Sequence, residues 1–225
     1  MPPRPEPFLT DSIYHIFNRT IDGKEIFSNT DNCLLFLQLF EYYRSDKATT
    51  SFSKLKTLER YRLNKLKKDI LIRKYYRVEI LACCLMPSHF HLLLKQCKEG
   101  GVQKFVSNIV NSFTKSYNVR NKRVGPLFLP KFRSVSISTD DQLIHVSRYI
   151  HLNPYSGGII KKVDKLKDYS FSSFNGYISS NQDQLVQDTP ILELFDKDKR
   201  KYRDFVYDNA SYQKTLEEVK YQSKW

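Results

Sequence analysis

The hydrophobic pattern of the chain changes period several times. Residues 12–19 (SIYHIFNR) have the β-branched and aromatic character of a strand. Thr30, Asp31 and Asn32 offer helix N-caps, and an apolar helix follows from 33 to about 43. Val78, Ile80, Ala82, Cys84 and Met86 alternate with Arg77, Glu79, Leu81, Cys83 and Leu85, a second strand. Pro87-Ser88 turns the chain into a third strand ending near Lys95, so 78–95 reads as a hairpin. Beyond Gly100-Gly101, the positions Val102, Phe105, Val106, Ile109, Val110, Phe113 and Tyr117 share one helical stripe. Residues 132–138 form a fourth strand. The order strand, helix, strand, strand, helix, strand predicts an α+β, ferredoxin-like βαββαβ antiparallel sheet with helices on one face. The opposite face is expected to stay open.

A further helix begins at Asp140. Thr139 and Gln142 stand at capping-box spacing, Leu143, Val146 and Ile150 line one side, and Pro154 is expected to end the helix before it. Gly157-Gly158 and a lysine-rich run then suggest a boundary. The organisation read from these signals is an extended lead over 1–10, a main domain over 11–155 and a C-terminal helical appendage over 156–225. The last fifteen or so residues are expected to be weakly anchored. Within the main domain, 45–75 is a basic, largely helical insertion. It carries nine Lys and Arg between 54 and 74, read first as a solvated face and second as an auxiliary nucleic-acid contact.

Charge narrows the partners. Lys and Arg number 37 against 24 Asp and Glu, a formal charge of +13, which points to a polyanion with nucleic acid first. No apolar run reaches the roughly twenty residues of a membrane span, and the opening MPPRPEP lacks the apolar core of a signal peptide. Cys33, Cys83, Cys84 and Cys97 make no CxxC pair. They read as small buried residues in a reducing compartment, so the expected location is cytoplasmic.

Two sets of residues carry candidate chemistry. Side chains alternate along a strand, so His89 and His91 point one way while Phe90, Leu92 and Leu94 pack the other. Paired neutral imidazoles suit a divalent metal; among five histidines, such a spacing also arises by chance. Tyr149 and Asn153, four apart on a helix, share a face. A phenol of pKa near 10 is a poor nucleophile unless its anion is stabilised. Taken alone, a helical tyrosine is more often a packing residue and Asn153-Pro154 usually just a helix stop.

In order along the chain come Tyr14-His15-Ile16-Phe17-Asn18-Arg19, Leu85-Met86-Pro87-Ser88-His89-Phe90-His91, Gly125-Pro126-Leu127-Phe128 with Lys131-Phe132-Arg133, and Arg148-Tyr149-Ile150-His151-Leu152-Asn153-Pro154. Together with Asp168-Tyr169-Ser170 and Ser172-Ser173 this set resembles the HUH single-tyrosine transposases, in particular the REP-associated tyrosine transposase branch, over about residues 11 to 178. The resemblance implies that Tyr149 is a catalytic nucleophile and that His89, His91 and Asn153 ligate Mg²⁺ or Mn²⁺. It also implies single-stranded or hairpin DNA as partner, cleaved through a 5′-phosphotyrosine link that leaves a 3′-hydroxyl able to rejoin strands. Ser88 stands where the family commonly has Asn, and Tyr155-Ser156 replaces the usual Val-Arg, which removes an arginine after Pro154. His15, Arg19, Lys131, Arg133 and Arg148 are further candidates for supporting the site or contacting DNA. His145 and His151 match no family ligand and are expected at the surface. A homodimer and a monomer both fit the sequence. The rival readings are a non-catalytic hairpin-binding protein on the same fold and a phosphodiesterase that activates water.

Overall fold

The computed structural model describes residues 7–179 and 185–222, so the first six residues of the proline-rich lead lie outside it. Strands β1 (Ile13–Arg19), β2 (Val78–Met86), β3 (His89–Gln96) and β4 (Arg133–Ile137) form one antiparallel sheet in the order β2-β3-β1-β4. Helices α1 (Thr30–Tyr43) and α3 (Gly101–Arg120) pack together against one face. The expected ferredoxin-like order is therefore present.

Register explains which side chains fill the core. Tyr14, Ile16 and Asn18 stand opposite Leu94, Leu92 and Phe90, and Phe90, Leu92 and Leu94 are fully buried. Phe36 of α1 meets Phe90 at 5.2 Å and Phe113 of α3 at 5.1 Å between ring centroids. Burying rings of this size contributes about 1.5–3 kcal/mol each. Asn29 caps α1 by accepting from the Asn32 backbone N–H at 3.0 Å. Gly101 opens α3 where a Cβ would lie 2.3 Å from the Arg77 carbonyl oxygen, so a side chain has no room there.

The insertion leaves α1, forms a 3-10 turn at Phe52–Thr57, continues as α2 (Arg60–Asp69) and re-enters through a second turn at Arg73–Tyr75. No residue of α2 is buried. Leu66 is its partly buried contact with the core, and its basic side chains are exposed.

The second sheet face differs from expectation. Helix α4 (Asp140–Ser156) lies across β2 and β3. The cause is visible in the register: Ala82, Cys84 and Leu93 point to that side and are apolar, so they need a cover that the βαββαβ core does not supply. Later segments close the neighbouring outer edge of β2. Leu85 donates its backbone N–H to Phe171 O at 2.8 Å, Cys84 bridges Ser172, and Tyr169 donates its hydroxyl to Leu85 O at 2.6 Å. Around them lie α5 (Phe174–Ile178), α6 (Thr189–Leu192), α7 (Lys199–Asp208) and α8 (Ala210–Gln222). Helix α8 packs along α4, which anchors a region expected to be loose; residues 223–225 lie outside the described set. Among the described residues, only the β1–β4 half of this face remains open.

Helix α4 also runs through Pro154 to Ser156 instead of stopping before it. Proline removes the N–H that Ile150 O would accept. The Asn153 side-chain amide takes up that role locally, donating to Tyr149 O at 2.7 Å and reaching Ile150 O at 3.5 Å. At the other end Thr139 accepts from Gln142 N at 3.1 Å, but Gln142 Oε1 returns to Ser138 N at 2.9 Å, one residue earlier than the reciprocal box. Among the described residues no helix is long and apolar enough to cross a membrane.

Candidate active site

His89 and His91 stand side by side on β3, their ring centroids 5.2 Å apart and nearly perpendicular. The register sets Phe17 against His91 and Arg19 against His89, so the β1 residues His15, Phe17 and Arg19 share their face. His15 Nε2 and His91 Nδ1 are 3.0 Å apart and share one proton. Burial holds His15 down at about 4, so it is neutral at pH 7. His89 is lowered too, by burial first and then by the Arg19 guanidinium, against an opposing pull from Glu217 of α8. Ser88 Oγ lies 3.3 Å from His89 Nδ1. Neutral imidazole is the form that ligates metals.

Helix α4 brings the phenol to these rings. Tyr149 is half-buried, with its ring centroid 5.5 Å from that of His91 and 5.9 Å from that of His15, edge-on to both. Its backbone carbonyl accepts from Asn153 Nδ2 and, at 3.1 Å, from Gln213 Nε2 of α8. Gln213 also donates to Ser156 Oγ at 3.2 Å. Since Asn153 spends its amide nitrogen on its own helix, Oδ1 is the atom it has for a ligand. His89 and His91, with Asn153 Oδ1 one turn past Tyr149, are the candidate ligands for a divalent ion. Among the described residues, no group of three or more His, Cys, Asp and Glu is arranged for one.

His151 is wholly buried, contrary to its expected surface position. Two residues past Tyr149 is about 200° around the helix, which turns it to the opposite, core-facing side. There it stands in the middle of a buried polar chain, for which one continuous assignment of donors exists, with Ser173 Oγ also 3.2 Å from Cys83 O. Cys83 N–H donates to Ser173 Oγ at 2.9 Å, Ser173 to His151 Nε2 at 2.8 Å, and His151 Nδ1–H to the Tyr202 hydroxyl at 2.7 Å. Tyr202 then donates to Ser147 Oγ at 3.0 Å, and Ser147 to Ile144 O at 2.8 Å. Burial drops His151 to about 3, in keeping with a neutral ring that donates once and accepts once. The chain ties α4 to β2, to the start of α5 and to α7. The 143, 147, 150, 151, 154 spacing of buried positions was the sequence signal for it.

The supporting candidates separate. Arg19 and Arg133 are exposed on the His face, the latter paired across β1 from Phe17. Lys131 is exposed just before β4. Arg148 turns away: its guanidinium stacks on Phe205 of α7 at 4.3 Å and meets His145 Nδ1 at 2.7 Å. His145 is exposed and bridged to Asp141 at 3.2 Å.

Fold and site together define a class: a ferredoxin-like sheet that presents paired imidazoles beneath a helix-borne phenol. Residues 53–153 match the family model described as "Transposase IS200 like", and the resemblance read from the motifs holds over that span. His89, His91, Tyr149 and Asn153 lie inside it, while β1 and everything after Asn153 lie outside. Among solved structures, the chain is similar to one described as the structure of the REP associates tyrosine transposase bound to a REP hairpin. The TM-score is 0.54 at 16% identity, over 80% of this chain and 87% of that one. At that identity the likeness is one of fold. No curated protein matches.

Proposed function

We propose that the protein nicks and rejoins single-stranded DNA beside a hairpin, with Tyr149 as nucleophile. The observation that carries this reading is the Tyr149 ring set edge-on over the His15–His91 pair. A structural packing role needs no histidines there. The family match over 53–153 and the hairpin-bound transposase of similar fold support the choice of DNA.

His89 and His91, with Asn153 Oδ1, would hold Mn²⁺ or Mg²⁺. A nitrogen-rich donor set favours the manganese ion. Such an ion supplies Lewis-acid polarisation of the scissile phosphate. The chain's own residues do the rest. With His91 ligating through Nε2, its Nδ1 keeps the proton and donates it to His15, which fixes the tautomer and angle of the ring. Gln213 and Asn153 hold the Tyr149 carbonyl and thereby the rotation of α4 at that point. The phenolic oxygen bonds to phosphorus as the P–O3′ bond breaks; the phenol's proton passes to solvent and the departing 3′-oxygen takes one up. The product is a 5′-phosphotyrosine with a free 3′-hydroxyl, and attack by that hydroxyl on another such link reverses the step without an energy source.

A denaturing gel tests the reading with hairpin-bearing single-stranded DNA and Mn²⁺. A covalent protein–DNA band that is lost in Tyr149→Phe is the expected result. Cleavage that persists in Tyr149→Phe would mean activated water, and binding with no cleavage by the unaltered protein would mean a non-catalytic hairpin binder. Intact cleavage in His89→Ala would remove the metal assignment.

A further inference from the structure

The open half of the His face has a composition of its own. Phe17 is half-buried, with its ring near-parallel to that of His91 at 29° and 5.7 Å. His15 lies 5.2 Å from it on the same strand. One flank of the ring therefore rests on the imidazole row. The other flank looks toward β4, where the register places Arg133 opposite Phe17 and Val135 opposite His15. Arg133 is exposed and Val135 is 51% exposed. Arg19 is exposed two residues along from Phe17, and its strand partner is His89. Among the described residues no acidic side chain pairs with Arg19 or Arg133. Helix α4, which covers β2 and β3, leaves this strip uncovered.

An aromatic ring flanked by two unpaired guanidiniums and an exposed apolar side chain matches the chemistry of one unpaired nucleotide. An aromatic face accepts any base by stacking, and arginines take the adjoining phosphates. We propose that the β1–β4 strip is a single-nucleotide subsite: an unpaired base stacks on Phe17 and Val135 while Arg19 and Arg133 hold the phosphates on either side. The subsite sits one strand from His91, so it fixes which phosphodiester lies beneath Tyr149. It rests on the reading of a DNA strand crossing the His face. Duplex DNA has no base to offer, which makes the strip a selector for single-stranded substrate.

Binding is measured in EDTA, on the Tyr149→Phe background, so that cleavage does not enter. The probe is a hairpin oligonucleotide with a single-stranded tail, 2-aminopurine being placed at successive tail positions. One tail position is expected to be quenched on binding, with the quench lost in Phe17→Leu and kept in Phe17→Tyr. Phe17→Leu should weaken binding of the tailed hairpin roughly tenfold or more and leave a blunt hairpin unchanged. Arg19→Gln and Arg133→Gln should each lower the salt slope by about one. Thermal melts of each variant guard against misfolding, since leucine keeps the strand apolar. Wild-type affinity in a folded Phe17→Leu, or equal weakening on tailed and blunt hairpins, overturns the subsite. If Phe17-dependent quenching appears while the protein with Tyr149 intact never forms a covalent band, the subsite stands and the nuclease reading falls.

Discussion

His15 is where residue-scale chemistry is most informative. A histidine whose side-chain hydrogen bond goes to another histidine at 3.0 Å, and which burial holds at about 4, is placed at pH 7 to accept or donate a single proton within the pair. As orienter of His91 it would act on a bound metal without touching it. Replacing His15 with Gln is expected to raise the Mn²⁺ concentration for half-maximal cleavage by about ten- to a hundredfold while leaving the covalent product the same. A manganese titration of initial rates measures it, and an unchanged midpoint would make His15 a packing residue. The His89–His91 pair was legible in the sequence because strand alternation alone puts two residues on one face. His15 was visible only as a candidate, since its partner lies 76 positions away and only the β1–β3 register joins them. Phe17 was in plain sight within the first motif, but its exposure depends on where α4 ends its cover, which no local pattern reveals.

At the scale of elements, α4 decides both packing and chemistry. Its polar chain through His151 has no exposed member to relieve a proton: Ser173, Ser147 and Tyr202 are buried around the ring, and Tyr177 lies 4.8 Å from it. Arg148 is the neighbouring cation, felt through Tyr202. Because the folded value lies near 3 and the unfolded one near 6.5, the unfolded chain binds the extra proton as pH falls from about 6.5 toward 3. Stability is thus full above 6.5 and is lost downward through that window, by about 1.4 kcal/mol per pH unit from this one group. Calorimetric melts without metal should show this acid limb, and His151→Gln should make it shallower by about one proton, leaving the share of the buried His15 and His89, while lowering the melting temperature at pH 7. An acid limb of the same slope in the variant would refute the assignment. The expected end of α4 at Pro154 failed for a related reason. Proline's missing donor is a local rule, and it was overridden by Asn153 turning its amide onto the carbonyls of its own helix.

For the whole molecule, the sheet order followed from the periodicity of the chain, because each element there is defined by contacts close in sequence. The cover on the second face did not. Segments 84 to 96 residues distant in sequence meet the outer edge of β2 through Tyr169, Ser173 and Tyr177, and their short helices carry too few periodic positions to declare a docking face. The basic insertion is the converse case, legible in composition and only lightly packed, with no residue of α2 fully buried and Leu66 its contact with the core.

Gln213 reaches back from the last helix to the carbonyl of the very residue that carries the phenol. The proposed nucleophile, the imidazoles and the clasp upon them all come from a single polypeptide here, so a lone molecule is expected to suffice. Its turnover per molecule should therefore be indifferent to dilution: initial cleavage rates are expected to scale with the first power of protein concentration from the nanomolar range upward. A second-order dependence would mean that α4 is lent to a neighbour. First-order behaviour would let the enzyme work at the few copies per cell at which encounters between two of them are rare.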